Sequence, residues 1–258
     1  MSLDAATRSV FDRVYSTELV YEPDCWKLCG DAHCCHFTRH KARFRMMAKG
    51  ETFQEIPLLP GEWDYLTERG WTAQFGDHEF RASTYEAGGR EFRVESVISR
   101  RPMCACEHGT RTTICRLYPV LPVYDVAGRV IATEVLGTYE ELEKLDGLEP
   151  LCKISAAPLA QVNIFLELAN VIGSHPVLLV YLRAYHATKR HVFDRLGARL
   201  AAGESGSAFQ LFERGYLRRQ LIQHDELRAS LAAIIDDTRV IHGGAFDDAW
   251  RALHETLA

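Results

Sequence analysis

The sequence predicts an α+β fold: a small, irregular, cysteine-rich part with β-hairpins over residues 1–155, then a mainly α-helical part over residues 156–258. Three observations predict it. In the first part, apolar and polar residues alternate on either side of glycine turns. From residue 156 onward, apolar residues recur at three- and four-residue steps instead. All eight cysteines lie before residue 153. The two parts are either separate domains or halves of one shared core.

The elements follow in order. Phe11, Val14, Tyr15 and Leu19 fall near helical spacing and predict a helix over residues 3–20, ended by Pro23. A short helix is predicted over residues 56–70, with Pro60 early, Trp63 and Leu66 three apart, and Gly70 at the stop. Residues 79–98 predict a hairpin: Phe80, Ala82 and Thr84 alternate with polar residues, Gly88-Gly89 turns the chain, and Phe92 and Val94 alternate again. A second hairpin is predicted over residues 120–135, turning at Ala127-Gly128. Helices are then predicted at 158–172, 177–201, 207–222, 225–238 and 245–257, punctuated by Gly203 to Gly206 and by Gly243-Gly244.

Composition narrows the function. At 258 residues, 47% hydrophobic and 25% charged, the chain is long enough for a sizeable core. A net charge of -5 argues against a general nucleic-acid binder, which needs surplus cations for phosphate. The longest apolar run, Val177 to Leu182, is six residues, so no membrane span is expected. The start has no apolar signal region, which makes a cytoplasmic protein the expectation. In that compartment structural disulfides are rare, and clustered cysteines point to a metal or to redox chemistry. Walker-type, G-x-G-x-x-G and G-x-S-x-G motifs are all missing from the sequence.

The cysteines form two groups and a single. Cys25, Cys29, Cys34 and Cys35 fall within eleven residues; Cys104, Cys106 and Cys115 form the second group; Cys152 stands apart. Thiolates are soft, charged donors, and four of them satisfy a tetrahedral zinc or a four-iron cluster. Neighbouring cysteines can converge from one stretch of chain, and a distant group can close the site. Cys34 and Cys35 are adjacent, so either one ligates while the other packs, or each serves a different centre. No C-x2-C pair occurs, which argues away from a zinc ribbon. A buried cysteine can also be a small hydrophobe, and that reading has most weight for Cys152.

Cys25-Trp-Lys-Leu-Cys29-Gly-Asp-Ala-His-Cys34-Cys35 resembles the signature of the zinc- or iron-chelating cysteine-cluster family (YkgJ-like, CxxCxxCC type). Leu59-Pro60-Gly61-Glu62 resembles that family's apolar-Leu-x-x-Glu helix, and Cys106-x8-Cys115-Arg116-Leu117-Tyr118-Pro119 its Cys-x8-Cys-Arg-x-x-Pro element. Cys104 and Cys152 complete the eight. Four residues separate Cys29 from Cys34, where the family has fewer. The first group is also similar to that of the flagellin lysine-N-methylases. The resemblance covers residues 22–155 and implies an iron–sulfur cluster, [4Fe-4S] first, with zinc as the alternative. Cys25, Cys29, Cys35 and Cys115 are the leading ligands, followed by Cys34, Cys106, Cys104 and Cys152.

Other candidates are secondary. His33, His36 and His108 lie beside the cysteines and suit a mixed site, whereas His40 reads as solvated. His186 and His191, five apart, do not share a helix face and read as ordinary helix residues. Arg101 and Arg116 either stabilise thiolates or pair with surface carboxylates, and Trp26, Phe37, Trp63 and Trp71 read as core. Three classes of function stay open: an enzyme acting on a protein, a peptide or a small molecule; a non-catalytic zinc module for structure or interaction; and a redox or metal sensor. The partner is a protein or a small molecule, and the chain is expected to be a monomer or homodimer.

Overall fold

The computed structural model describes residues 3–22, 43–46, 54–100, 108–149, 152, 154 and 158–255. Its first helix, α1 (Ala5–Ser16), is capped by the Asp4 carboxylate, which accepts from the amides of Ala6 and Thr7. It ends at Ser16, short of the expected residue 20. Strand β1 (Gln54–Leu58) and helix α2 (Glu62–Glu68) occupy the stretch expected to be one helix over residues 56–70. The correction has a physical reason. Gln54–Leu58 pairs antiparallel with Glu95–Ser99, so partners distant in sequence decide its conformation.

Strands β2 (His78–Ala87) and β3 (Arg90–Ser99) form the expected hairpin, and the sheet order is β1-β3-β2. After a 3-10 turn at His108–Thr110 come helix α3 (Thr113–Leu117) and the second hairpin, β4 (Val120–Tyr124) and β5 (Val130–Val135). Helix α4 (Thr138–Leu145) follows. Helices α5 (Val162–Gly173), α6 (Pro176–Ala201), α7 (Ala208–Leu217), α8 (His224–His242) and α9 (Gly244–Glu255) complete the described chain. The molecule is thus α+β, with small antiparallel sheets and a helical C-terminal part. Among the described residues no single helix is long and apolar enough to cross a membrane. Leu159–Gly173 and Pro176–Ala201 pass that test only as a pair, and they bend by 111° at their break.

One hydrophobic cluster takes residues from both sides of residue 156. Phe11, Tyr65, Phe92, Leu117 and Leu121 pack with Phe165, Leu178, Ile235 and Phe246. The tip of the β2–β3 hairpin lies on the helices. Phe92 stacks on Tyr181 at 4.2 Å, and Arg90 pairs with Asp247 at 2.6 Å while lying over the Phe246 ring. Two smaller clusters adjoin it. One joins Ile56, Leu58, Leu66, Phe75 and Val97 with Trp63, Trp71 and Cys115 at its edge. The other joins Phe44 to Leu142, Leu196, Phe209 and Leu211.

The β4–β5 turn is pressed against the end of α5. Gly128, at φ 82°, sits so close that a Cβ there would run into the Gly173 carbonyl. Backbone cannot yield as a flexible side chain can. Gly128→Ala is expected to cost about 1–3 kcal/mol for overpacking, plus about 1–2 kcal/mol for the left-handed conformation. Chemical denaturation checks this; a loss below about 0.5 kcal/mol, the range of neutral surface changes, would contradict the close approach.

Candidate metal centre

Cys25, Cys29, Cys34, Cys35, Cys104 and Cys106 lie outside the described residues, as do His33, His36, His40, Arg101, Trp26 and Phe37. His108 opens the 3-10 turn before α3. Cys115 and Cys152 are described, and both are half-buried. Cys152 points its Sγ to the Ile154 carbonyl at 3.5 Å. Among the described residues, no three His, Cys, Asp or Glu side chains are grouped to hold a metal.

The surroundings of Cys115 are well defined. It lies on α3, where the Thr112 hydroxyl caps the helix and accepts from the Cys115 amide at 3.4 Å. Its side chain meets the Ile56–Leu58–Phe75 cluster, with Tyr15, Trp63 and Trp71 at the same edge. A half-buried thiol against an apolar wall is a soft donor shielded from water on one side, and that chemistry fits zinc or an iron–sulfur cluster.

Buried polar groups fix α3. Glu62 is fully buried. Its Oε1 accepts from the Thr113 amide at 2.5 Å, the Thr113 hydroxyl at 2.7 Å and the Tyr15 hydroxyl at 2.7 Å, and its Oε2 from the Leu59 amide at 3.0 Å. Burial pushes the Glu62 carboxyl upward against these donors. Burial and the neighbouring Glu62 also raise the Tyr15 hydroxyl far above its ordinary value. Arg116 is buried as well. Its Nε donates to the Arg111 carbonyl at 3.1 Å, Nη1 to Thr17 at 3.0 Å and Nη2 to Gly109 at 2.6 Å, while its plane lies 4.7 Å from the Tyr15 ring centre. The Tyr21 hydroxyl donates to the Leu117 carbonyl at 3.2 Å.

Four described residues near the cysteine stretches are thereby tied to α3. Thr17 and Tyr21 precede Cys25, and Gly109 and Arg111 follow Cys106; all four bond to α3. Beyond Cys35, the amides of Arg45 and Met46 donate to the buried Glu213 carboxylate on α7 at 2.7–3.1 Å, and Phe44 packs edge-on against Phe209.

The remaining candidates are placed as follows. His186 Nε2 lies 3.2 Å from Glu134, and His191 Nε2 accepts from the Gln223 amide at 3.0 Å, so each has its own local partner. Trp63 stacks on Phe80 at 5.0 Å, and Trp71 packs near Tyr15. An open groove of about 710 Å3 runs between the end of α1 and α5, lined by Arg13, Thr17, Glu18, Gln161, Ile164 and Glu167. Several buried ionisable groups had no place among the sequence candidates, Glu213, His175 and Glu95 among them. Glu213 offered no signal, and neither did His175, which caps α6, or Glu95 on β3. Glu62 did offer one, as the acid of the Leu-x-x-Glu resemblance. Arg116 is not spent on a surface carboxylate; it is buried, and its guanidinium bonds to backbone carbonyls.

Comparison with known proteins adds no relative: no protein-family model, curated protein or solved structure matches this chain.

Proposed function

We propose that this chain is a metalloprotein binding an iron–sulfur cluster, [4Fe-4S] first, through Cys25, Cys29, Cys35 and Cys115, with Cys34, Cys104, Cys106 and Cys152 as the further thiols of the site. The observation that carries the reading is the anchoring around α3. Stretches on the approach to Cys25 and on the exit from Cys106 are bonded to the helix that bears Cys115. The clustering of thiols in the sequence and the Cys-Arg-x-x-Pro resemblance support it further. When bound, such a cluster supplies one-electron chemistry. The chain's own contribution is to hold Cys115 at an apolar wall and to fix the ends of the ligand stretches. The thiols must stay reduced to ligate, which suits a cytoplasmic site.

Metal and acid-labile sulfide analysis of protein purified without oxygen tests this directly. Iron with sulfide and a brown absorption spectrum is the expected result. Stoichiometric zinc without sulfide would replace the cluster with a zinc module; neither metal, with eight titratable thiols, would overturn both. Cys25→Ser and Cys115→Ser are each expected to lose most of the bound metal and to lower the melting temperature by about 5–10 °C, because metal binding and folding are coupled. Full metal content with unchanged melting in both variants would remove these two ligands.

A further inference from the structure

The three-stranded sheet guards one of its edges and leaves the other open. Among the described residues its order is β1-β3-β2, so β1 and β2 each have one side without a neighbouring strand. The turn between β2 and β3 is Gly88-Gly89, with positive φ at both residues, as a two-residue I′ turn requires, and Ala87 and Arg90 close it. The closing residues exchange both hydrogen bonds, and bonded and unbonded pairs alternate from there. Odd-numbered residues of β2 therefore bond to β3, while Phe80, Ala82, Thr84 and Glu86 turn their amides and carbonyls outward. The same alternation along β3 turns the backbone of Pro57, opposite Ser96, away from β3. Proline has no N–H to offer a further strand, so the edge of β1 is blunted. β2 has no such guard. It pairs with β3 over ten residues without a bulge, contains neither proline nor lysine, and is exposed from Arg81 to Glu86.

We propose that β2 is the surface through which two copies of this chain associate, edge to edge and antiparallel, about a two-fold axis at Ser83. An axis perpendicular to the sheet keeps each face continuous, so odd residues meet odd and even meet even. With the axis at Ser83, Ala82 lies opposite Thr84 of the other copy and Phe80 opposite Glu86, all with outward backbone groups to pair. On the odd face Arg81 lies opposite Tyr85 of the other copy, and symmetry makes that contact twice. Tyr85 is 44% exposed, and a guanidinium against an aromatic ring attracts. Arg81 also reaches Glu79 on its own strand at 3.3 Å, which keeps it on that face. The two serines at the axis are small, and each is flanked on β3 by Val94, itself 41% exposed. No like charges meet, because Glu79, Arg81 and Glu86 each face an uncharged residue. Any extended peptide could use the outward amides, but only a second copy makes the Arg81–Tyr85 match reciprocal. Residues 79–87 of each copy form an interface at the small end of the specific range, about 1,200 Å2 or less, so a Kd of about 1–100 µM is expected.

The test uses the full chain under reductant, so that no disulfide joins the copies. Sedimentation equilibrium from about 1 µM to about 0.5 mM should show a reversible monomer–dimer equilibrium. Thr84→Pro removes an outward amide only and sets a ring in the path of the second strand; it should weaken association at least about tenfold. Ser83→Lys and Ser83→Glu each place like charges together at the axis, in an unbonded pair with opposite Cα atoms about 4.5 Å apart, and each alone should do the same. Mixed in equal amounts, they should pair again with a Kd within about threefold of wild type. Val240→Lys, 82% exposed on α8, is the control and should leave the dimer unchanged. Amide hydrogen exchange by NMR at about 0.5 mM gives the second readout. The amides of Ala82, Thr84 and Glu86 should exchange at least about threefold more slowly in wild type than in Ser83→Lys, whereas those of Arg81 and Tyr85, already bonded to β3, should not change. Should Thr84→Pro fail to fold, the Ser83 variants, which leave the backbone untouched, carry the test. A monomer at every concentration would overturn the proposal and leave this edge to a strand from another protein. A dimer that survives Thr84→Pro and both Ser83 variants, a dimer lost in Val240→Lys alone, or Ser83 variants that fail to pair when mixed would each overturn it as well.

Discussion

Glu62→Ala is expected to destabilise the protein by about 3–5 kcal/mol, in the range for removing one partner from a buried charged network. The carboxylate is the acceptor for two backbone amides, Leu59 and Thr113, and for the hydroxyls of Thr113 and Tyr15. The hydroxyls can turn elsewhere, but the amides are fixed and buried. Each orphaned donor costs about 1–3 kcal/mol. Glu62→Gln nearly preserves volume, but its amide group would set a donor against a donor at one end of the site. An intermediate loss, about 1–3 kcal/mol, is therefore expected for it. Urea unfolding of the two variants checks the order Glu, Gln, Ala. A change below about 1 kcal/mol for Glu62→Ala would show that water replaces the carboxylate at no cost. Because Thr113 and Cys115 share α3, the metal-binding reading proposed above expects metal content to fall along with stability.

The second large effect is a pair of opposed pH dependences. Burial pushes the His175 imidazole down to about 4; it caps α6 through the Leu178 amide and meets the Thr7 hydroxyl at 3.2 Å. Burial, with Asp64 and Glu62 nearby, pushes the Glu95 carboxyl up to about 7, against the pull of Arg93. For His175 the unfolded chain takes the proton first as pH falls, so its contribution is complete above the ordinary value of 6.5 and is lost toward pH 4. For Glu95 the unfolded chain ionises first as pH rises, so stability is lost from 4.5 up to 7. Each span of about 2.5 units corresponds to about 3 kcal/mol. Between pH 4.5 and 6.5 the two slopes oppose each other. His175→Asn, which keeps a capping oxygen, should therefore become relatively less stable as pH rises, and Glu95→Gln relatively more stable. Stability differences from wild type, measured between pH 4 and 7.5, isolate each group from the other titrations. Parallel wild-type and variant curves would refute the assignment.

How far the sequence specified this molecule depends on where the deciding partners lie. The C-terminal helices were legible because their stabilisation comes from one apolar face with period 3.6, as at Leu227, Leu231 and Ile235 on α8. Both hairpins were legible from alternation around glycine turns. Strand β1 was not, because Gln-Glu-Ile-Pro-Leu has no alternation to read and owes its state to β3. α3 is five residues long, too short for a period, and is held by Glu62 and a Thr112 cap. At the candidate centre, thiols announced themselves by residue type. Glu213 did not, and the burial of Glu62 and Arg116 was not legible either, since charged residues carry no mark of burial in sequence and are buried here because each meets several fixed backbone partners.

The two amides held by Glu213 also set a rule for insertions and deletions. With residue 22 close behind the Tyr21 tie and residue 43 next to the Phe44 anchor, twenty residues span two fixed points. Closing such a span costs entropy that grows only with the logarithm of its length: doubling it would add about 0.6 kcal/mol. The described ties at either end of that span, at Tyr21 and at Arg45 and Met46, are the costly places to change. An insertion between Arg111 and Arg116 would pull the guanidinium off its three carbonyls at once.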